Sequence, residues 1–166
     1  SGWNIDGFDI PYLYNRTKRV MGETFANVLS PIGEVFYSEH KQRYKIAGVS
    51  CLDYLALYKK FTYTQQSSYR LDYIGKLEVD MGKIEYDGTL QDLYETDINK
   101  YVEYNLNDVK IVKALDDKLK MIDLVRGISH VGHTPYEDVY HSSRYLEGAI
   151  LVYLKKLGVV APNKEL

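Results

Sequence analysis

Thr96-Asp97-Ile98-Asn99-Lys100-Tyr101-Val102-Glu103-Tyr104-Asn105-Leu106-Asn107-Asp108-Val109-Lys110-Ile111-Val112 opens a stretch, 96–126, that reads as the longest helix of the chain. Ile98, Val102, Leu106, Val109, Val112, Leu115, Leu119 and Ile122 recur at three- and four-residue steps, which predicts an amphipathic helix with a broad core-facing stripe. Thr96 and Asp97 supply the start signal. Asp108 stands apart from the solvated charges Lys110, Lys113, Asp117 and Lys120, because its helical neighbours are Tyr101, Tyr104, Ile111 and Val112. A carboxylate on a partly apolar face needs a hydrogen bond, a cation or a metal. The helix alone fits both a structural acid satisfied by an amide or an arginine and a chemical one; a second carboxylate is needed to decide.

The chain has 166 residues, 45% hydrophobic and 27% charged, which suits one globular domain with a real core. It contains neither an apolar run of membrane-spanning length nor a charged-then-apolar leader, so the expectation is no membrane span and no secretion. The single Cys51 excludes an internal disulfide and points to a reduced, cytoplasmic setting. A net charge of -2 excludes coating of nucleic acid by charge alone, yet leaves room for a metal-dependent nuclease, whose site concentrates carboxylates. Seventeen tyrosines are read mostly as compositional bias, with base stacking as the functional alternative.

The sequence opens on Ser1-Gly2-Trp3-Asn4-Ile5-Asp6-Gly7-Phe8-Asp9-Ile10-Pro11, with no polar lead-in, as if at a cut edge. Pro11 suits the first turn of a helix and puts Asp9 at its N-terminal end, where an aspartate on its own reads as a cap. Residues 34–47 alternate loosely around the polar centre Ser38-Glu39-His40-Lys41-Gln42-Arg43 and predict a hairpin with a basic tip. Val49 to Leu55 reads as a buried strand, and Leu71 to Leu77 as a short helix begun by Ser68 and Tyr69. The chain becomes loop-like past Arg126-Gly127, and Ser142 to Lys156 reads as a last helix ended by Gly158. His130, His133 and His141 lack the spacing of a zinc site.

Asn4, Phe8 and Asp9 together with Tyr104 and Asp108 carry a resemblance. Asn4-Ile5-Asp6-Gly7-Phe8-Asp9 resembles the second exonuclease motif of family B DNA polymerases, and Tyr104-x-x-x-Asp108 the third. Their order and separation, with Ser68-Tyr69-Arg70-Leu71 between them, are similar to the tailed-bacteriophage members over nearly the whole chain. The resemblance implies a partial RNase H-like (DnaQ-like) α/β exonuclease fold over residues 1–126 with an inserted hairpin, and a helical connector, 127–166, toward an absent palm domain. It implies hydrolysis at a DNA 3′ end by two magnesium or manganese ions. Asp9 and Asp108 would be metal ligands, and Tyr104 would hydrogen-bond the attacking water or the phosphate. Asn4 and Phe8 would hold the terminal nucleotides, while Arg43, Ser68, Tyr69 and Lys83 would be further DNA contacts. Asp53 stays a structural acid by the same resemblance.

The family's first motif, Asp-x-Glu, is absent: none of the thirteen aspartates is followed by x-Glu, and Glu78-x-Asp80 and Glu85-x-Asp87 have the wrong order. The expected function is therefore that of a fragment of a proofreading polymerase from an infected bacterial host, almost inactive alone. Its partners would be single-stranded or primer-template DNA and the remaining polymerase domains, in cis or in trans. Self-association through an exposed sheet edge or the last helix is a further expectation. A subunit of a split polymerase, and a non-catalytic nucleic-acid-binding or assembly module, are the alternatives.

Overall fold

The computed structural model describes residues 1–39 and 42–163. In chain order they form a π-helical turn (Ile5–Asp9), α1 (Ile10–Met21), α2 (Glu23–Asn27), β1 (Val35–Ser38), β2 (Arg43–Ile46), α3 (Tyr54–Phe61), α4 (Leu71–Val79), α5 (Leu90–Thr96), α6 (Ile98–Leu119), α7 (Met121–Gly132), a 3-10 turn (Tyr136–Tyr140) and α8 (Ser142–Lys156). The chain is thus mixed α/β and mostly helical, with one two-stranded antiparallel sheet among the described residues. It divides into two compact units, Ser1–Asn4 with Asp53–Met121, and Ile5–Leu52 with Ile122–Leu166.

The first unit is centred on α3, α4 and α6. Tyr54, Leu57, Tyr58, Ile74, Ile111 and Leu115 are fully buried in it. Gly75 sits where α4 meets α6: a Cβ there would lie 2.5 Å from the Met81 carbonyl oxygen and 2.7 Å from Ile111 Cγ2, so the close approach requires glycine. Asp53 is buried and uses Oδ1 twice, accepting from the Asn4 and Leu55 amides at 2.9 Å each. It caps α3 and ties the N-terminal segment to it, which supports the structural role expected of it. The Trp3 indole donates to the Tyr69 carbonyl at 3.1 Å and packs against Tyr54 and Tyr58.

The second unit contains the hairpin, in which Val35 pairs with Ile46 and Ser38 with Arg43. The hairpin is where the sequence predicts it; His40 and Lys41, the centre of its basic tip, lie outside the described residues. The crossing near Gly132 and Gly148 is tight enough that a Cβ on Gly148 would lie 2.0 Å from the Gly132 carbonyl oxygen. No residue of α8 is buried, and Leu146, Ile150, Tyr153 and Leu157 are all exposed. Among the described residues no helix is long and apolar enough to cross a membrane.

Several expectations need correction. The helix read over 96–126 begins at Ile98, because Thr96 ends α5 and Asp97 is the cap, accepting from the Lys100 amide at 3.0 Å. It also breaks at Lys120, whose left-handed backbone (φ 53, ψ 34) closes α6 before α7 starts. The stripe Ile98, Val102, Leu106 and Val109 is exposed, and α6 buries Tyr104, Ile111 and Leu115 instead. Helix α6 has two apolar sides, and α4 packs on the one that contains Ile111, which lies against Gly75. Val49 to Leu55 is not a strand: Asp53 makes an isolated bridge to Gly2 and α3 starts at Tyr54, because the Asp53 cap favours a helix. Ser68 and Tyr69 precede α4 without entering it, and α7 continues through the segment read as a loop after Gly127.

Candidate functional site

The segment Met81-Gly82-Lys83 follows α4 and is held on three backbone points. The Met81 amide donates to the Gly75 carbonyl at 3.1 Å, the Lys83 amide to Asp72 Oδ1 at 2.8 Å, and the Asn107 side-chain amide of α6 to the Gly82 carbonyl at 2.9 Å. Anchored between the two helices, Lys83 extends its ammonium to the Tyr104 hydroxyl at 2.7 Å and to Asp108 Oδ2 at 2.9 Å. An ammonium 2.7 Å from the hydroxyl oxygen and 5.0 Å from the ring centroid lies beyond the hydroxyl edge, so the contact is a hydrogen bond and not a cation–π interaction. Tyr86 braces Tyr104 edge-on at 5.3 Å between ring centroids.

The helical turn Tyr104-x-x-x-Asp108 brings phenol and carboxylate to one face, as the sequence implies. Asp108 Oδ1 is buried and has no hydrogen-bond partner in the structure. An orphaned acceptor of this kind costs about 1–3 kcal/mol unless something else satisfies it. Burial on its own lowers the Lys83 pKa, but the hydrogen bonds from its ammonium to Tyr104 and Asp108 and the Asp108 charge outweigh that and leave it raised. The ammonium is therefore charged throughout the neutral range. Two of its three donors are engaged here, which leaves one for a water or a phosphate oxygen.

The remaining sequence-predicted residues fall into two groups. Asn4, Ser68 and Tyr69 lie in the same unit as Asp108. Asn4 has a positive φ of 60°. The Ser68 hydroxyl accepts from the Arg70 amide at 3.3 Å, and Tyr69 packs edge-on to Tyr58 with the Lys59 ammonium 4.7 Å from its ring centroid. Phe8, Asp9 and Arg43 lie in the other unit. Asp9 takes helical angles at the start of α1, makes no side-chain cap hydrogen bond there, and is an exposed residue. It closes a π-helical turn, a rare local form found often at functional positions. Arg43 pairs with Asp6 at 2.8 Å. The structure thus brings together Tyr104, Asp108 and Lys83. Sequence reading missed Asp72, Gly82 and Asn107, which place Lys83; the Asn107-Asp108 pair was the available signal.

Among the described residues no group of three or more His, Cys, Asp or Glu side chains is placed to hold a metal ion. The donor chemistry at Asp108 nevertheless fits a hard divalent cation, because its unsatisfied atom is a buried carboxylate oxygen.

Residues 1–74 match the family described as DNA polymerase family B, exonuclease domain. The chain is also 39% identical over 171 aligned residues, 99% of its length, to the DNA-directed DNA polymerase of Enterobacteria phage T4. The chain belongs to the exonuclease-domain family of family B DNA polymerases. The corresponding polymerase of Escherichia phage RB69 is 37% identical over 98% of the chain, and DNA polymerase 1 of Sulfolobus acidocaldarius is 30% identical over 78%. The chain spans 19% of the length of each phage relative and aligns with 15% of the archaeal one. The alignment with the T4 polymerase covers 99% of the chain and so includes residues 4–9 and 104–108.

Proposed function

We propose that the chain is part of a bacteriophage family B DNA polymerase and works in proofreading, removing nucleotides from a DNA 3′ end in the cytoplasm of an infected bacterium. Residues 1–126 would supply most of an RNase H-like exonuclease domain, and 127–166 would lead toward the palm. Single-stranded or primer-template DNA is the substrate, and the remaining polymerase domains are the partners. Two magnesium or manganese ions, when bound, supply the activated water and stabilise the leaving 3′ oxygen.

The observation that carries the reading is the orphaned Oδ1 of Asp108 beside a tyrosine and a charged lysine. Asp108 would hold a cation through Oδ1, with Asp9 as the second ligand-bearing residue. Because Lys83 donates to the Tyr104 oxygen, the phenol's own O–H is left to donate to the attacking water or the scissile phosphate. The third donor of Lys83 would meet the same phosphate. Asn4 and Phe8 would hold the terminal nucleotides, with Ser68, Tyr69 and Arg43 as outlying contacts.

Manganese titration of the nitrogen-15-labelled chain, read by amide line broadening, tests this. The amides around Asp108 and around Asp9 should broaden first, and Asp108→Asn should remove the effect at Asp108. Broadening confined to other acidic residues would overturn the assignment.

A further inference from the structure

Beyond Phe8, the exposed side of α1 carries a continuous aromatic and basic strip. Phe8 and Tyr12 stand one turn apart, with rings stacked at 5.9 Å between centroids and tilted by only 8°. They line a groove of about 400 Å3 that continues past Asn15 to Arg16 and Arg19. These positions, at steps of about one turn, fall on one face and run roughly 16 Å along the helix. Phe8 is 65% and Tyr12 56% exposed, so the rings present aromatic faces to solvent. Among the described residues neither Arg16 nor Arg19 has an ion-pair partner, although neighbouring Lys18 pairs with Glu23 at 2.8 Å. The Tyr44 hydroxyl donates to Asn15 Oδ1 at 2.9 Å, which fixes the amide and leaves its NH2 as a donor.

We propose that this face of α1 is a single-stranded DNA track, with Tyr12, Asn15, Arg16 and Arg19 as its contacts. The chemistry is what an unpaired strand requires: ring faces on which successive bases stack, followed by guanidinium groups for the phosphates. The two rings already touch each other, so a base adds to the outside of the pair and is not inserted between them. A duplex hides its base faces and gains only the charge, and an acidic peptide gains nothing from the aromatic pair. The proposal rests on the exonuclease reading for its ligand; it assigns that ligand a path of a few nucleotides on residues outside the motif.

The test is fluorescence anisotropy of a 5′-labelled oligothymidylate with the 166-residue chain and its variants, folding being confirmed by circular dichroism. Tyr12→Ala should weaken binding about fivefold or more, and Tyr12→Phe should restore it. Replacing both arginines (Arg16→Gln with Arg19→Gln) should reduce the slope of log K against log salt by about 1.4, at roughly 0.7 per phosphate contact on a single strand. Wild-type affinity in both Tyr12→Ala and the double arginine variant would overturn the track, as would no oligonucleotide binding by the parent chain. Competition by polyglutamate as effective as by oligothymidylate, with Tyr12→Ala silent, would overturn it in favour of an acidic partner. The manganese titration with Asp108→Asn reads a carboxylate outside α1 and outside its unit, and so judges the exonuclease reading separately.

Discussion

Replacing Lys83 with methionine keeps the length of the side chain and deletes the ammonium that joins Tyr104 to Asp108. Two hydrogen bonds disappear, at 2.7 and 2.9 Å. Bonds to a charged group contribute about 1.5–3 kcal/mol each when well buried. Lys83 and Asp108 are 34% and 27% exposed, so solvent screens the pair and the expected loss is about 1–2 kcal/mol in total. At a urea dependence of roughly 1–3 kcal/mol per molar, the midpoint should fall by about 0.5–1 M. Asp108 would then retain its charge with both oxygens short of a partner, so Asp108→Asn should recover part of the loss. A double-mutant cycle over the two positions should give a coupling of about 1 kcal/mol. Urea melts followed by tyrosine fluorescence would measure all four proteins. Unchanged stability in Lys83→Met with zero coupling would refute the geometry from which the site is argued.

Other perturbations read other contacts. Gly75→Ala should destabilise by about 1–3 kcal/mol in thermal melts, despite alanine's better helix propensity, because the added Cβ meets Met81 and Ile111; a stabilised variant would contradict the packing. Burial alone raises the Glu78 pKa, but hydrogen bonds from Tyr58 and Lys118 outweigh this and leave it below the ordinary value of 4.5. Its stabilising contribution is therefore complete above about pH 4.5 and lost as pH falls through the depressed value, so Glu78→Gln should flatten the acid limb of stability against pH. Lys83, raised above 10.5, contributes up to that pH and loses its contribution as pH climbs through the higher folded value; Lys83→Met and the parent should converge in stability at strongly alkaline pH.

Local punctuation was what made parts of the fold legible. Ser142 and Gly158 bracket α8, and the polar centre between Val35 and Ile46 marks the hairpin. Periodicity located α6 but not its buried side, because Ile98 to Val109 and Tyr104 to Leu115 form two apolar sides and only neighbouring elements decide between them. The break at Lys120 was invisible, since lysine carries no preference for left-handed backbone. The apolar run 49–55 looked like a strand until the Asp53 side chain turned its end into a capped helix. At the site, the unusual setting of Asp108 was readable from its helical neighbours. Lys83 came in only through the family resemblance, and its bonds to Tyr104 and Asp108 were not readable, because they depend on the clamp that Asp72, Gly75 and Asn107 place on Met81 to Lys83.

The most direct measurement is degradation of a 5′-labelled single strand in magnesium or manganese, comparing the 166-residue chain with the same chain supplied with an upstream Asp-x-Glu segment. The chain alone has Asp9 and Asp108 as candidate ligands, too few carboxylates to offset the repulsion between two close cations. It should digest DNA very poorly, and the completed form should shorten the strand from its 3′ end. Asp108→Ala should abolish that activity, and Tyr104→Phe should slow it less. Brisk metal-dependent digestion by the chain alone, or a completed enzyme indifferent to Asp108→Ala, would contradict the account.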